Sequence, residues 1–350
     1  MHGWIVIDKP VGPGSTQVVG AVKRALREGG YPKTKVGHGG TLDPLASGVL
    51  PVALGEATKL SGRMLEADKV YAFTIAFGAE TDTLDSEGKV VATTDHLPTL
   101  AEIEAVLPRF TGPIDQVPPA YSALKVDGKR AYDLARAGEA VEMKSRRVTI
   151  HSLKVKKEED PHPALSRKRE RGKEEARCGA PLPPLAGCAG EPRPARLSAV
   201  RGTARPAHGW DEGLVLLPSI TVIARVSKGT YIRSLARDIA RALDSVGHVT
   251  MLRRTKAGPF TLDQAISLDN LAERAKRRTL EHTLLPLTAG LDDIPALPVT
   301  PDQAGALRQG RVLIGIAAQP GLYLATDHDV PVALVELGEG RLRVVRGFNL

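Results

Sequence analysis

Aromatic residues are scarce in this chain, at 4% of its 350 residues. Recognition of RNA through a platform of many stacked rings is therefore not expected, and nucleic-acid contacts would rest on basic side chains and a few tyrosines. Cysteine is rarer still, since Cys178 and Cys188 are the only two. Their spacing is unlike that of any zinc knuckle, so we expect reduced thiols and no metal there.

Long apolar runs are also missing from the sequence. No uncharged stretch approaches the roughly 20 apolar residues of a membrane helix. The first ten residues, MHGWIVIDKP, lack the basic region and long apolar core of a signal peptide. These absences lead us to expect a cytoplasmic protein.

The chain is long enough for two domains and a sizeable core. It carries 48 Lys and Arg against 40 Asp and Glu, a net charge of +8, and an isoelectric point near 9.5. This balance favours a polyanionic partner without requiring one.

Alternating runs rich in β-branched residues predict strands at residues 4–8, 71–77, 147–155 and 219–226. Helical patterns lie at 99–108, 129–137 and 231–243, and an amphipathic helix begins near Gln17 with Ser15 or Thr16 as its cap. The fold class expected is mixed α/β (α+β), with a central, mostly antiparallel sheet.

Two further segments differ from this pattern. Between about 156 and 213 the composition turns to Pro, Arg, Gly, Ala and Glu, which predicts a disordered insertion, or else an accessory RNA-binding arm. After residue 291 come short β-like runs such as GLYLAT and PVALVEL, which predict a small β-rich domain. We therefore expect a domain at 1–290, interrupted by the insertion, and a second at 291–350.

One carboxylate, Asp43, stands among glycines and prolines in the segment from Gly37 to Lys59. Such residues take unusual backbone angles and let a ligand approach the main chain. Asp43 is also a plausible cap for a short helix opened by Pro44. A phosphate-binding loop is not favoured, because no Gly-Lys-Ser/Thr follows the glycines. A metal site is not favoured either, because no further ligands lie near His38. The residues alone leave the capping and chemical roles open.

The segment GHGGTLDPLASGVLPVALGEATKL resembles the catalytic motif of the tRNA pseudouridine synthase B (TruB) family. Further segments resemble the same family in order along the chain: DKPVG, DKVYAF, TDTLDSEG, PPAYSALKVDGKRAYDLARAG, SKGTYIRSLARDI and HVTMLRR. The resemblance implies the pseudouridine synthase fold with a C-terminal domain like the PUA RNA-binding module.

The resemblance also implies catalytic roles. Asp43 corresponds to the nucleophile, Arg233 to the arginine that pairs with it, and Tyr71 to the tyrosine that stacks on the target uracil and takes part in proton transfer. A carboxylate under a base stays ionised only beside a cation, and a guanidinium suits that geometry. Without the resemblance, Arg233 would be taken for a surface helix residue and Tyr71 for an aromatic at a sheet edge.

The remaining site residues are implied in the same way. His38, Tyr231 and Leu252 correspond to substrate-pocket residues, and Lys9 supports the active-site loop. TDTLDSEG lacks the spacing of a calcium loop and predicts a strand and a turn. The family has threonines where this chain has Gly14 and Gly39, from which we expect a looser active-site loop.

The function implied is isomerisation of uridine to pseudouridine at position 55 in the T-loop of tRNA, with base flipping. No cofactor and no metal are expected, the partner is the tRNA T-arm, and the chain is expected to be a monomer. One alternative is a non-catalytic tRNA-binding or folding protein on the same scaffold. Another is a glycoside hydrolase, which would need a second acid near Asp43.

Overall fold

The computed structural model describes residues 1–122, 124–126, 128–138, 142–156 and 215–350. The predicted insertion lies, from residue 157 onward, outside the described residues, and so do both cysteines. Within the described part, no helix is long and apolar enough to cross a membrane.

The strands follow the predicted runs closely. In chain order they are β1 (Gly3–Lys9), β2 (Val36–His38), β3 (Ser47–Leu54), β4 (Lys69–Phe77), β5 (Ala79–Thr81), β6 (Val90–Thr93), β7 (Gly112–Gln116), β8 (Lys125–Val126), β9 (Lys129–Arg130), β10 (Arg146–Val155), β11 (Ser219–Val226), β12 (Gly247–Ala257), β13 (Phe260–Thr261), β14 (Ala265–Ile266), β15 (Ala296–Pro298), β16 (Leu313–Ile314), β17 (Gly321–Asp327), β18 (Val330–Gly338) and β19 (Arg341–Gly347).

The helices are 6 to 14 residues long. They are α1 (Ser15–Glu28), α2 (Ser61–Glu66), α3 (Leu100–Val106), α4 (Ala131–Arg136), α5 (Ile232–Ala242), α6 (Leu268–Lys276) and α7 (Pro301–Arg308), and a 3-10 helix at Gly55–Leu60 leads into α2.

Helix α1 is amphipathic as predicted, and its buried side includes Val18, Val22 and Ala25. The expected cap was wrong, because Gly14 occupies that position and its N–H donates to Gln17 Oε1 at 2.7 Å. Ser15 is already helical, so its hydroxyl is used elsewhere.

In the described residues the large sheet has ten strands. Their order along the main path is β14-β1-β3-β12-β4-β11-β10-β7, with β2 on β3 and β13 on β12. The pairs β1–β14 and β12–β3 are parallel and the others antiparallel, which confirms the mixed, mostly antiparallel sheet. Strand β4 therefore lies in the interior of the sheet, flanked by strands from late in the chain.

The C-terminal runs form a separate five-stranded sheet of order β15-β17-β18-β19-β16, closed by α7. This sheet has a core of its own that includes Val332, Val335 and Leu342. A second face joins it to the first sheet, because Phe348 is buried in one cluster with Trp4 and Met64. The expected β-rich C-terminal part is thus present, and it packs directly on the larger sheet.

Polar contacts strengthen this junction. Lys59 Nζ donates to the Gly347 carbonyl at 2.8 Å, and the Asn349 N–H donates to Glu56 Oε2 at 2.8 Å. Arg63 adds a bidentate contact with Asp293 at 2.8 and 2.9 Å. The segment from the Gly55–Leu60 turn through α2 is consequently fixed to the C-terminal sheet.

Candidate active site

A cavity of about 350 Å³ lies where the Asp43 turn, strand β4, the start of α5 and strand β12 meet. Five of the seven residues predicted for the site line it: Asp43, Tyr71, Tyr231, Arg233 and Leu252. The fold therefore brings together side chains that lie far apart in the chain. A larger cavity, of about 750 Å³ beneath α2, contains none of the predicted residues, and its Arg63 and Asp293 are paired with each other.

Asp43 and Arg233 form the charged centre of the cavity. Arg233 Nη2 lies 2.9 Å from Asp43 Oδ2, with the arginine side chain 7% exposed and the aspartate side chain 42% exposed. Arg233 is therefore not a surface helix residue. The geometry leaves a half-open carboxylate, held by a buried cation, facing a space large enough for a nucleobase.

Asp43 does not cap a helix. No helix begins at Pro44; the chain continues through an irregular turn into strand β3 at Ser47. The capping role that the sequence left open is excluded by this path. The second half of the motif contains a buried strand rather than a loop, a point that the two prolines and five glycines of the motif concealed.

Arg233 has a second carboxylate partner that sequence reasoning missed. Asp85 Oδ2 accepts from Arg233 Nη1 at 3.1 Å, and the side chain of Asp85 is only 5% exposed. Its other oxygen accepts from Thr83 Oγ1 at 2.6 Å and from the Glu87 N–H at 3.1 Å. Asp85 is thus committed to holding Arg233. The segment TDTLDSEG, expected to be a strand and a turn, supplies this anchor as well.

The start of α5 is fixed by Gln116, the second residue that the sequence did not reveal. Gln116 is fully buried, accepts from the Tyr231 N–H at 2.8 Å and donates to the Tyr231 carbonyl at 3.1 Å. Arg146 lies over the Tyr231 ring, 5.6 Å from its centroid. Burial raises the pKa of the Tyr231 phenol, so this side chain stays neutral near pH 7.

Tyr71 and Leu252 reach the cavity from the middle of the sheet. Tyr71 lies on β4 opposite Ala224 of β11 and Arg254 of β12, so it is not at a sheet edge. Lys69, two residues earlier on β4, also lines the cavity and donates to the Leu65 and Ala67 carbonyls, both at 2.6 Å. Burial lowers the pKa of Lys69 to about 8.

Lys9 lies behind the cavity wall, where it supports the Asp43 turn. It is fully buried, and Nζ donates to the carbonyls of Pro10, Pro13 and Pro44 at 2.9, 2.7 and 3.3 Å. Burial lowers the pKa of Lys9 to about 8, against the opposing effect of nearby Asp43. The Lys9 ammonium thus links the loop after β1 to the residue that follows Asp43.

His38 ends strand β2 and is not among the residues that line the cavity. Burial lowers the pKa of its imidazole, and a hydrogen bond to the Gly40 backbone opposes that effect. The expected freedom at the neighbouring Gly39 is not observed. A Cβ at Gly39 would lie 2.6 Å from Met64 Cβ, so this glycine allows the turn to pack closely on α2.

No group of three or more His, Cys, Asp or Glu side chains is arranged to hold a metal ion in the part of the chain that the structure describes.

Two family models match this chain. A family model described as the N-terminal domain of TruB family pseudouridylate synthase matches residues 27–173, and one described as the tRNA pseudouridylate synthase B C-terminal domain matches residues 233–292. The chain belongs to the TruB family.

Relatives extend this similarity to the full length. A tRNA pseudouridine synthase B from Novosphingobium aromaticivorans is 56% identical, covering 100% of this chain and 98% of the relative. The one from Zymomonas mobilis is 53% identical, covering 100% and 96%. The sequence similarity of this TruB-family member to its relatives therefore spans both sheets.

Among solved structures, the fold is similar to a chain of an H/ACA RNP bound to a substrate RNA containing 2'-deoxyuridine. The TM-score is 0.63 at 22% identity, covering 99% of this chain and 85% of that one. A Cbf5-Nop10-Gar1 complex gives the same TM-score at 23% identity, covering 99% and 84%. At these identities the likeness establishes the fold.

Proposed function

We propose that this TruB-family enzyme isomerises uridine to pseudouridine at position 55 in the T-loop of tRNA, with Asp43 as the nucleophile. The observation that carries the assignment is the half-exposed Asp43 carboxylate, 2.9 Å from buried Arg233, in a cavity that Tyr71 also lines. Attack by the carboxylate at the target nucleotide leads to cleavage of the glycosidic bond between C1′ and N1. The detached uracil rejoins C1′ through C5, which releases the carboxylate, while C5 loses a proton and N1 gains one.

The cavity accounts for the other requirements of this reaction. Arg233 holds the Asp43 carboxylate in place through a charge-assisted contact of 2.9 Å. We assign Tyr71, which lines the cavity, to stacking on the uracil and to removal of the ring proton. We assign Tyr231 and Leu252, which also line it, to confining the detached base. His38 and Lys9 act from outside the cavity. His38 fills space near the flipped nucleotides, and Lys9 supports the turn that carries Asp43.

A glycoside hydrolase fits this site less well. A hydrolase of that kind needs a second carboxyl group able to serve as acid or base. Asp85 is the acidic side chain that shares Arg233 with Asp43, but it is buried and both of its oxygens accept hydrogen bonds. It has no access to a leaving group.

The test is to incubate the protein with a tRNA transcript and map pseudouridine. We expect pseudouridine at position 55 and none in a transcript that has cytidine at that position. Turnover should persist in EDTA, under conditions in which the tRNA fold is unchanged. Asp43→Asn should abolish product and leave tRNA affinity nearly intact, with the exposed Asp302→Asn as matched control. Residual turnover of Asp43→Asn within about tenfold of wild type would remove Asp43 from the nucleophile role.

We further propose that residues 291–350 form a PUA-like RNA-binding domain beside the catalytic domain at 1–290. Support comes from strand β19, where Arg341, Arg343 and Arg346 are all exposed. Arg343→Gln should weaken tRNA binding and lower the slope of log affinity against log salt by about 0.9 per lost phosphate contact. The exposed Arg109 of the larger sheet region provides the control, Arg109→Gln.

A monomer acting in the cytoplasm, where tRNA is found, completes this proposal. Sedimentation of the protein alone and with one equivalent of tRNA measures the stoichiometry. A dimer at assay concentration would contradict it.

A further inference from the structure

The turn that carries Asp43, residues 39–46 between β2 and β3, has few hydrogen bonds of its own. The Ala46 N–H donates to the Asp43 carbonyl at 3.1 Å, and the Gly39 N–H reaches Pro51 at 2.8 Å. A nucleophile on so open a segment needs support from other elements, because an error of 1 Å in its position can cost about 100-fold in rate.

Ser15 supplies support at the residue before Asp43. Its hydroxyl accepts from the Leu42 N–H at 2.8 Å and donates to the Leu42 carbonyl at 3.1 Å, so one side chain satisfies both backbone groups. Ser15 and Leu42 are each 4% exposed, which keeps water from competing for these bonds. The hydroxyl does not cap α1, whose cap is Gly14.

Arg254 joins the two sides of the same turn. Its Nε donates to the Val49 carbonyl at 2.7 Å and its Nη1 to the Thr41 carbonyl at 3.1 Å, from a side chain 1% exposed. Thr41 precedes the nucleophile and Val49 follows it on β3. A planar guanidinium can span two carbonyls in this way, whereas the single ammonium of a lysine cannot hold the same geometry.

These contacts leave little freedom around the carboxylate. Thr41 is held by Arg254, Leu42 by Ser15, and Pro44 by Lys9 and by the Gly12 N–H, the last at 2.9 Å. We propose that Ser15 and Arg254 are positioning residues for Asp43, which fix its backbone at the reacting distance. Ser15 does so from outside the cavity, whereas Arg254, 1% exposed, forms part of the cavity wall. The proposal rests on the proposed function, since it concerns the rate of that reaction.

Ser15→Ala tests the proposal directly. We expect the single-turnover rate constant for pseudouridine formation to fall about 10- to 100-fold, while the Kd for tRNA stays within about twofold because RNA contacts are unchanged. Ser15→Thr keeps a hydroxyl and should recover most of the rate. Thr16→Ala is the matched control, since Thr16 is the next residue of α1 and is exposed.

Arg254→Lys provides the second arm, and it decides the question if Ser15→Ala does not fold. It keeps the buried charge but loses the two-carbonyl bridge, so the rate should fall while the Kd for tRNA is retained. Circular dichroism at the assay temperature checks that each variant is folded.

Two results would overturn the proposal: a Ser15→Ala rate within threefold of wild type, or loss of tRNA affinity in parallel with rate in both variants. Failure of the wild type to form pseudouridine in tRNA is a separate outcome that would refute the proposed function itself.

Discussion

Replacing Asp85 with asparagine tests how far the reactivity of Asp43 depends on a residue outside the cavity. Asp85 accepts from Arg233 through one oxygen and from Thr83 and Glu87 through the other. An asparagine has one carbonyl oxygen and one NH₂ group. Either the NH₂ faces the guanidinium, or it faces the Glu87 N–H, so one donor is always set against another donor.

The size of the effect follows from burial. Removing one partner of a buried ion pair costs about 3–5 kcal/mol. Arg233 retains the carbonyls of Thr83 at 2.8 Å and Tyr121 at 3.0 Å, together with Asp43, so we expect the lower end, about 3 kcal/mol of unfolding free energy. A loss of that size in transition-state stabilisation corresponds to about a 100-fold lower rate constant.

Urea denaturation and single-turnover kinetics on a tRNA transcript measure the two quantities. Asp82→Asn is the matched control, because Asp82 lies in the same turn and accepts from the Lys89 N–H at 2.8 Å without contacting Arg233. A rate for Asp85→Asn within threefold of wild type would refute the reasoning. Equal damage from Asp82→Asn would show that only the shape of the turn matters.

Three further outcomes are expected, each measured by urea denaturation. Gly39→Thr should lower the free energy of unfolding by about 1–3 kcal/mol through overlap with Met64. Gly20→Ala, in open space on α1, should raise it by up to about 1 kcal/mol. Equal effects of the two substitutions would contradict this. The pKa of Lys69 is about 8 in the folded chain against 10.5 in the unfolded chain, so the unfolded chain binds more protons between these pH values. The free energy of unfolding of wild type should therefore rise by up to about 3 kcal/mol relative to that of Lys69→Met as pH rises from 8 to 10.5. A difference that stays constant with pH would contradict this. Phe348→Ala, 2% exposed at the junction of the two sheets, should cost about 3–5 kcal/mol, and a loss below about 1 kcal/mol would show that the junction contributes little.

Local pattern was sufficient to predict much of the scaffold. Strands β4 and β11 show alternating residues, and helix α1 shows an apolar stripe. Each of these patterns can be recognised within a few neighbouring residues. Strand β3 escaped prediction because Gly48 and Pro51 imitate a loop, although neighbouring strands on both sides hold it in the sheet.

The site divides in the same way. Asp43 and Arg233 were named through resemblance, since nothing in periodicity tells which distant segments will meet. Asp85 and Gln116 were missed because a buried polar residue looks, in sequence, like a solvated one. Only the packed structure reveals that both hold the start of α5, Asp85 through the Arg233 side chain and Gln116 through the Tyr231 backbone.

The interior position of β4 has a consequence for synthesis on the ribosome. Strand β4 ends at Phe77, while its two neighbours, β11 and β12, end at Val226 and Ala257. At roughly 5–20 residues per second, the second neighbour is complete about 10–40 s after β4 has been made. Until β11 is made, a nascent chain carries a hydrophobic strand with both edges unpaired, and the edge that β12 covers stays unpaired to the end of the interval. Unpaired edges of this kind aggregate or recruit chaperones. The cavity, which takes Asp43 from the early part and Arg233 from the late part, cannot be assembled before α5 and β12 have been made.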